Sequence, residues 1–134
     1  MDIRYLAGLF DGEGSVNMAW GGRKKESVLM KITVTNSKKD LCNLITSKFG
    51  GSVYPKRDRG IHQLKAYEWQ LCGWSAIPLL ERLLPYVYIK KKAIELALQW
   101  KTLYRRSPKP PTKSELRRRR SLIKKLHKVN KRGK

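Results

Sequence analysis

Apolar positions along this chain change period wherever a turn signal intervenes. Ile3 to about Asp11 reads as a helix, with Asp2 placed to cap its first turn and Gly14 to end it. Residues 15–20 then alternate, Val16, Met18 and Trp20 on one side, Ser15, Asn17 and Ala19 on the other. After the basic run "GGRKKES" the alternation returns over 28–35. There Val28, Met30, Ile32 and Val34 make an apolar face, and Leu29, Lys31, Thr33 and Thr35 a more polar one. Together these segments predict a β-hairpin with one wet face.

The period then becomes helical. Leu41, Leu44, Ile45 and Phe49 share a stripe, Asn36 or Ser37 can cap it, and Gly50 stops it. "SVYPKRDRG" and "KAYEWQLC" predict a second hairpin around Gly60, with Tyr67, Trp69 and Leu71 toward the core and Glu68 and Gln70 away. "SAIPLLERLLPYV" reads as a third helix, which tolerates Pro78 in its first turn. "IKKKAIELALQWKTLYRR" reads as a fourth. "SPKPP" breaks the chain, and residues 114–130 can form a last, very basic helix. It would open on Ser114 and Arg117, where a capping box would carry Ser and Glu. The order predicts an α+β fold with an αββαββα core. Two hairpins join as one antiparallel sheet, helices cover one face, the polar face stays open, and further helices follow at the C-terminal end. Residues 1–104 form this domain, and 105–134 a basic C-terminal extension that is partly helical.

Charge changes the picture more than length does. The 134 residues are 40% hydrophobic, enough for one domain with a real core. Lys and Arg total 31 against 10 acids, a net charge of +21, which calls for a polyanionic partner, nucleic acid first. Fourteen of those cations lie in residues 105–134, beside one acid, Glu115. Ribosomal and histone-like proteins carry similar charge, so charge alone picks no function. No apolar run approaches the roughly 18 residues a membrane span needs, and Met1–Leu9 lacks the apolar stretch of a secretory signal. Cys42 and Cys72 match no metal-ligand spacing and read as buried, reduced thiols of an intracellular protein. His62 and His127 have no companion at ligand spacing and read as surface residues. Trp69, Trp74 and Trp100 read as core rather than as platforms for bases.

One stretch resists that bland account. "YLAGLFDGEGS" begins as a helix and ends in two glycines and two carboxylates, inside a strongly basic protein. Gly8 and Gly12 lie four apart and share a helix face, where two backbones can approach closely. Glu13 would then stand near its counterpart on a partner. Two carboxylates amid positive charge suit a hard divalent cation such as Mg²⁺, which next to DNA can drive phosphodiester hydrolysis. The same residues also read as an acidic turn that merely ends a core helix.

"LAGLFDGEG", Leu6–Gly14, resembles the signature of the LAGLIDADG homing endonucleases. The element order, "RDRG" at 57–60 and "LLPYVYIKKKAIELAL" at 83–98 are similar to the single-motif, homodimeric members of that family, and the likeness spans roughly residues 3–104. The resemblance implies a saddle-shaped sheet in the major groove of double-stranded DNA. It also implies metal-dependent cleavage of both strands of a long pseudo-palindromic site, with water as the nucleophile. It makes Glu13 the metal-binding acid and Gly12 the donor of a backbone carbonyl, with Mg²⁺ or Mn²⁺ as cofactor and Ca²⁺ binding without supporting cleavage. It makes Asn36 the polar residue that orders the hydrolytic water, Lys90 the basic group near the scissile phosphates, and Asp11 a support for the helix end. Asp40 stands where a basic residue is expected, with Lys38 or Lys39 available in its place. Ala7, Gly8 and Gly12 form the implied contact between two copies.

Strand alternation aims Asn17, Lys31, Thr33, Arg57, Arg59, Glu68 and Gln70 at the bases, Arg suiting guanine and Gln adenine. Arg23, Lys24 and Lys25 at the hairpin tip reach phosphates or outer bases. Relatives with this fold also bind intron RNA as maturases, and a DNA-binding regulator that does not cut is a third reading. Retention of Glu13 argues against the third and not against the second.

Overall fold

A computed structural model describes residues 1–56, 66–104 and 109–132. The first helix, α1 (Ile3–Glu13), is capped by Asp2, whose carboxylate accepts the Tyr5 N–H at 3.0 Å. That bond holds the Asp2 carboxyl below the usual carboxylate range. The chain passes from α1 into β1 (Gly14–Gly21) with no linker and returns as β2 (Ser27–Asn36). Then come α2 (Lys39–Phe49), β3 (Ser52–Lys56) and β4 (Ala66–Cys72). The four strands form one sheet in the order β1-β2-β4-β3, with antiparallel pairing throughout. The helices α3 (Ile77–Leu83) and α4 (Lys91–Gln99), a 3₁₀ turn at Trp100–Leu103 and α5 (Lys113–Arg132) complete the chain.

Both strand pairs expected from alternation are present, while the turn expected around Gly60, and His62, lie outside the described residues. Val16, Met18, Val28, Met30, Ile32, Val34, Trp69 and Leu71 all point into the core, against Leu6 and Phe10 of α1 and Ile45 of α2. Trp69, fully buried, donates its indole N–H to the Gly50 carbonyl at 2.8 Å. Gly50 and Gly51 take φ of 83° and 94°, a region open to glycine, and this lets the chain turn tightly over that indole. Pro78 sits in the first turn of α3, as its lack of an N–H requires.

Several expectations need correction. Neither Asn36 nor Ser37 caps α2; Lys38 holds that position without a side-chain cap, while the Asn36 Oδ1 accepts the Lys38 N–H at 2.8 Å. Asp40 lies in the uncapped first turn, where a carboxylate offsets the helix dipole. The buried stripe of α2 is Cys42 and Ile45, and Leu44 is exposed. Cys42 is buried, which pushes its thiol pKa up, but Cys72 is exposed. Trp74 is exposed as well, edge-on to the buried Trp100 at 4.8 Å.

The last helix starts one residue earlier than expected and runs two residues further. Its capping box is Thr112 and Glu115: the Thr112 Oγ1 accepts the Glu115 N–H at 3.2 Å, and Glu115 Oε1 accepts the Thr112 N–H at 3.4 Å. Charge hides an apolar stripe on this helix, since Leu122, Ile123 and Leu126 join the same core as Val16 and Met18. Asn130 donates to the Val16 carbonyl at 2.8 Å, and the His127 ring lies 3.2 Å from the Met18 carbonyl. Those carbonyls lie along the outer edge of β1, so α5 covers an edge that would otherwise invite pairing. Arg119 is buried against the Tyr104 ring and donates to the Glu26 and Leu103 carbonyls. Leu126→Ala should therefore cost about 2–5 kcal/mol of stability by leaving a cavity. Urea unfolding checks this; an unchanged midpoint would show that α5 is not docked.

Candidate functional site

The register of the sheet sorts its open face into rows. One row runs Ser15, Thr33, Gln70 and Ser52; the next on one side joins Thr35, Glu68 and Tyr54; the next on the other joins Asn17, Lys31 and Cys72. Ala19 and Leu29 form the last row, nearest the hairpin tip. Asn17, Lys31, Glu68 and Gln70 therefore share one face, as alternation required. Asn17 is exposed and donates to Ser15 Oγ at 3.3 Å. Gln70 donates to Glu68 Oε2 at 2.7 Å, so these two half-buried groups act as a pair. Thr33 departs from expectation. It lies on the right face but is only 4% exposed, beneath its neighbours, so no base edge reaches it without moving them. Arg23, Lys24 and Lys25 are exposed in the β1–β2 turn, where Gly22 and Lys25 take left-handed φ. Arg57 and Arg59 lie outside the described residues.

The hairpin is anchored from behind. The Trp100 indole donates to the Val28 carbonyl at 2.8 Å, and the Tyr104 hydroxyl both accepts the Val28 N–H and donates to its carbonyl. With Arg119 on Glu26, three side chains beyond the sheet fix the base of the basic turn.

The other end of the sheet gathers the acidic residues. Glu13, the last residue of α1, is exposed, and its Oε2 accepts the Asn36 Nδ2–H at 2.8 Å. Asn36, the last residue of β2, is thereby held at both ends, by Glu13 and by the Lys38 N–H. Asp11, two residues before Glu13, uses both oxygens on the segment entering α4. Oδ2 accepts the Tyr88 N–H at 2.7 Å and Oδ1 the Lys90 N–H at 3.1 Å. Lys90 lines a cavity of about 210 Å³ together with Ser15 and Asn17 of the open face and Asn130 of α5. Glu13, Asn36 and Lys90 are thus each tied to the junction of α1 with the sheet. Lys38 and Lys39 are both exposed beside Asp40, and the Lys39 ammonium lies over the Tyr67 ring at 5.7 Å.

Helix α1 presents a separate, outward stripe. Tyr5, Gly8 and Gly12 are exposed, and a Cβ built on either glycine meets nothing within 4 Å. Ala7 does not belong to this stripe: it is 1% exposed, packed inside the protomer. Sequence also passed over Tyr54, Ala19, Leu29 and Cys72, all exposed on the open face. Tyr54 had a signal, since it alternates with Val53 toward the core, but the following Pro55 obscured it.

No protein-family model and no curated protein sequence matches the chain. Solved structures do. The homing endonuclease I-CvuI, in complex with its target in the presence of Ca, superposes with a TM-score of 0.77 at 27% identity, over 95% of this chain and 80% of that one. The archaeal intron-encoded homing endonuclease I-Vdi141I, complexed with DNA, gives 0.72 at 17% identity over 95% and 82%. The LAGLIDADG homing endonuclease I-SmaMI, bound to cleaved DNA, gives 0.70 at 18% identity, over 96% of this chain but 44% of that one.

The clamp between Asp11 and the 88–90 segment makes a local prediction. Asp11→Ala should expose the Tyr88 and Lys90 amides, so their hydrogen exchange should accelerate about tenfold or more, the loss of charge-assisted bonds worth about 1.5–3 kcal/mol each. Unchanged exchange would mean that another contact holds this segment.

Proposed function

The chain has the LAGLIDADG homing endonuclease fold and carries a matching helix-end signature at Leu6–Gly14, and from that premise we propose that it is a site-specific DNA endonuclease, acting as a homodimer with a divalent metal ion. The observation that carries this reading is the bond between Glu13 and Asn36 at the end of an open, largely polar sheet face. The net charge of +21 supplies the attraction to duplex DNA.

The donor chemistry suits the ion. Glu13 has one oxygen engaged by Asn36, and Gly12 beside it is exposed with no side chain to shield its carbonyl. Such hard oxygen donors fit Mg²⁺ or Mn²⁺, and Ca²⁺ would bind them without supporting cleavage. When bound, the ion acidifies a water and stabilises the leaving oxygen. The protein does the rest. Asn36 fixes the Glu13 carboxylate and keeps one N–H and one lone pair of its amide for a water. Asp11 fixes the segment that carries Lys90, whose ammonium brings positive charge to the phosphate.

A homodimer completes the site. Among the described residues no three His, Cys, Asp or Glu side chains converge on a point, and Asp11 is committed to backbone N–H groups, so on this reading Glu13 is the carboxylate each copy brings. The bare stripe of Gly8 and Gly12 gives a second α1 room to approach and bring a second Glu13 close. I-SmaMI supports this arrangement, because this chain spans less than half of it and two such units would fit its length.

Two experiments test the reading. With a supercoiled plasmid library of randomised inserts, Glu13→Gln should abolish Mg²⁺-dependent cleavage by more than the roughly 10–100-fold that loss of an outer-sphere partner costs. DNA affinity should hold or rise, since a negative group near phosphates is gone. Full cleavage by a variant with unchanged melting would remove the carboxylate from the mechanism. Gly8→Leu should leave the protomer's melting intact but shift sedimentation from dimer to monomer and lose cleavage. A wild type that sediments as a monomer on DNA would refute the shared site.

A further inference from the structure

The open face of the sheet is not polar throughout. At its hairpin end Ala19 faces Leu29 across the β1–β2 pair, and Cys72 lies diagonal to Leu29, opposite Lys31. Leu29 is 62% exposed, an isobutyl group standing on a face where Asn17, Lys31, Glu68 and Gln70 are all polar. Gly21 makes this posture possible: a Cβ there would lie 2.7 Å from Leu29 Cγ, so only glycine lets Leu29 lie across the strand end. Beside it β4 has already ended, and the gap forms a mostly apolar dent of about 410 Å³ between Ala19, Leu29, Cys72 and Trp100, with Lys31 at its polar rim.

We propose that this dent is a specificity subsite for the 5-methyl group of thymine in the major groove. The inference rests on the proposed binding of duplex DNA. In the major groove the bases offer hydrogen-bond donors and acceptors everywhere except at one apolar feature, the thymine methyl. Exposed Leu29, Ala19 and Cys72 offer no charge or strong hydrogen bond to satisfy any other base edge. Lys31 beside them and Arg23, Lys24 and Lys25 at the turn surround the dent with groups that attract phosphates, so duplex DNA is the occupant that charge favours. Six residues separate Glu13 from Ala19. At about 3.3 Å per strand residue that is about 20 Å. At about 3.4 Å per base step the subsite falls roughly six base pairs from the cleavage centre.

The test uses a randomised duplex library, selected by the wild-type protein with Ca²⁺ in place of Mg²⁺. Thymine should be enriched at symmetric positions roughly six base pairs from the centre. The selected duplex is then remade with deoxyuridine at those positions, which deletes the methyl and nothing else. Affinity should fall about fourfold per thymine, and about fifteenfold for two, the worth of a buried methyl. Leu29→Asn, at an exposed site where folding is little at risk, should erase the difference between the two duplexes and move the enrichment to another base. Lys31→Ala should weaken both duplexes alike and flatten the salt dependence. Equal wild-type affinity for the two duplexes overturns the subsite and frees the dent for another occupant, such as a protein surface. So does a difference that persists in Leu29→Asn. Selection without enrichment at any position overturns the endonuclease reading itself, and this inference with it.

Discussion

The junction between α1 and β1 governs the rest of the molecule. No residue intervenes between Glu13, the last of the helix, and Gly14, the first of the strand. Gly14 is buried against the Phe10 ring and the Phe10 carbonyl, and any side chain there would collide with both. Phe10 is itself fully buried in the core. The helix end is therefore seated on the sheet by packing on one side and by chain continuity on the other. Glu13 inherits its position from that seat, and a flexible linker would have let it wander.

The acids around this junction have divided tasks. Asp11 spends both oxygens on backbone N–H groups of the 88–90 segment, so its charge is committed to structure. Glu13 gives only one oxygen to Asn36 and stays exposed. On the proposed reading, Glu13 is the acid of the two that can still turn an oxygen toward a hard cation. Asp40, next door, answers to a different demand: it lies in the first turn of a helix that has no side-chain cap.

Much of this was legible in the sequence, and the failures have physical causes. A period of two has only two sides, so alternation named both faces of each strand, and the buried face of the sheet follows it from Val16 to Leu71. Alternation says nothing of what lies across the neighbouring strand, which is why Thr33 appears on the open face yet is covered. The implied contact between copies includes Ala7, but Ala7 lies about 100° round the helix from Gly8, a step that here carries it to the buried side beside Leu6. Gly8 and Gly12 share the outward face. Leu29 is a lone apolar residue on the polar side of β2, and alternation along one strand carries no sign of the dent that lies beside it.

Helix α5 shows how far composition can mislead about position. Its charge suggests a tail that hovers near nucleic acid, attached to a fold finished without it. Yet Leu122, Ile123 and Leu126 enter the common core, and Asn130 and His127 meet the carbonyls of the β1 edge. Its Arg119 carries the argument further, because a buried guanidinium is costly unless its donors are used. Its two terminal nitrogens reach the Glu26 and Leu103 carbonyls, its buried Nε has no hydrogen-bond partner among the described residues, and the plane lies over Tyr104 at 4.5 Å. Glu26 closes the turn that holds Arg23, Lys24 and Lys25, and Tyr104 is bonded to Val28 at the root of β2. The helix thus bears on the geometry of the basic turn from behind the sheet, while Arg117, Arg120, Lys124 and Lys128 on its outer side stay exposed. Its two faces serve different ends. On the proposed reading the outer cations would add affinity that salt can screen, while the inner contacts bear on where the hairpin stands, which salt does not reach.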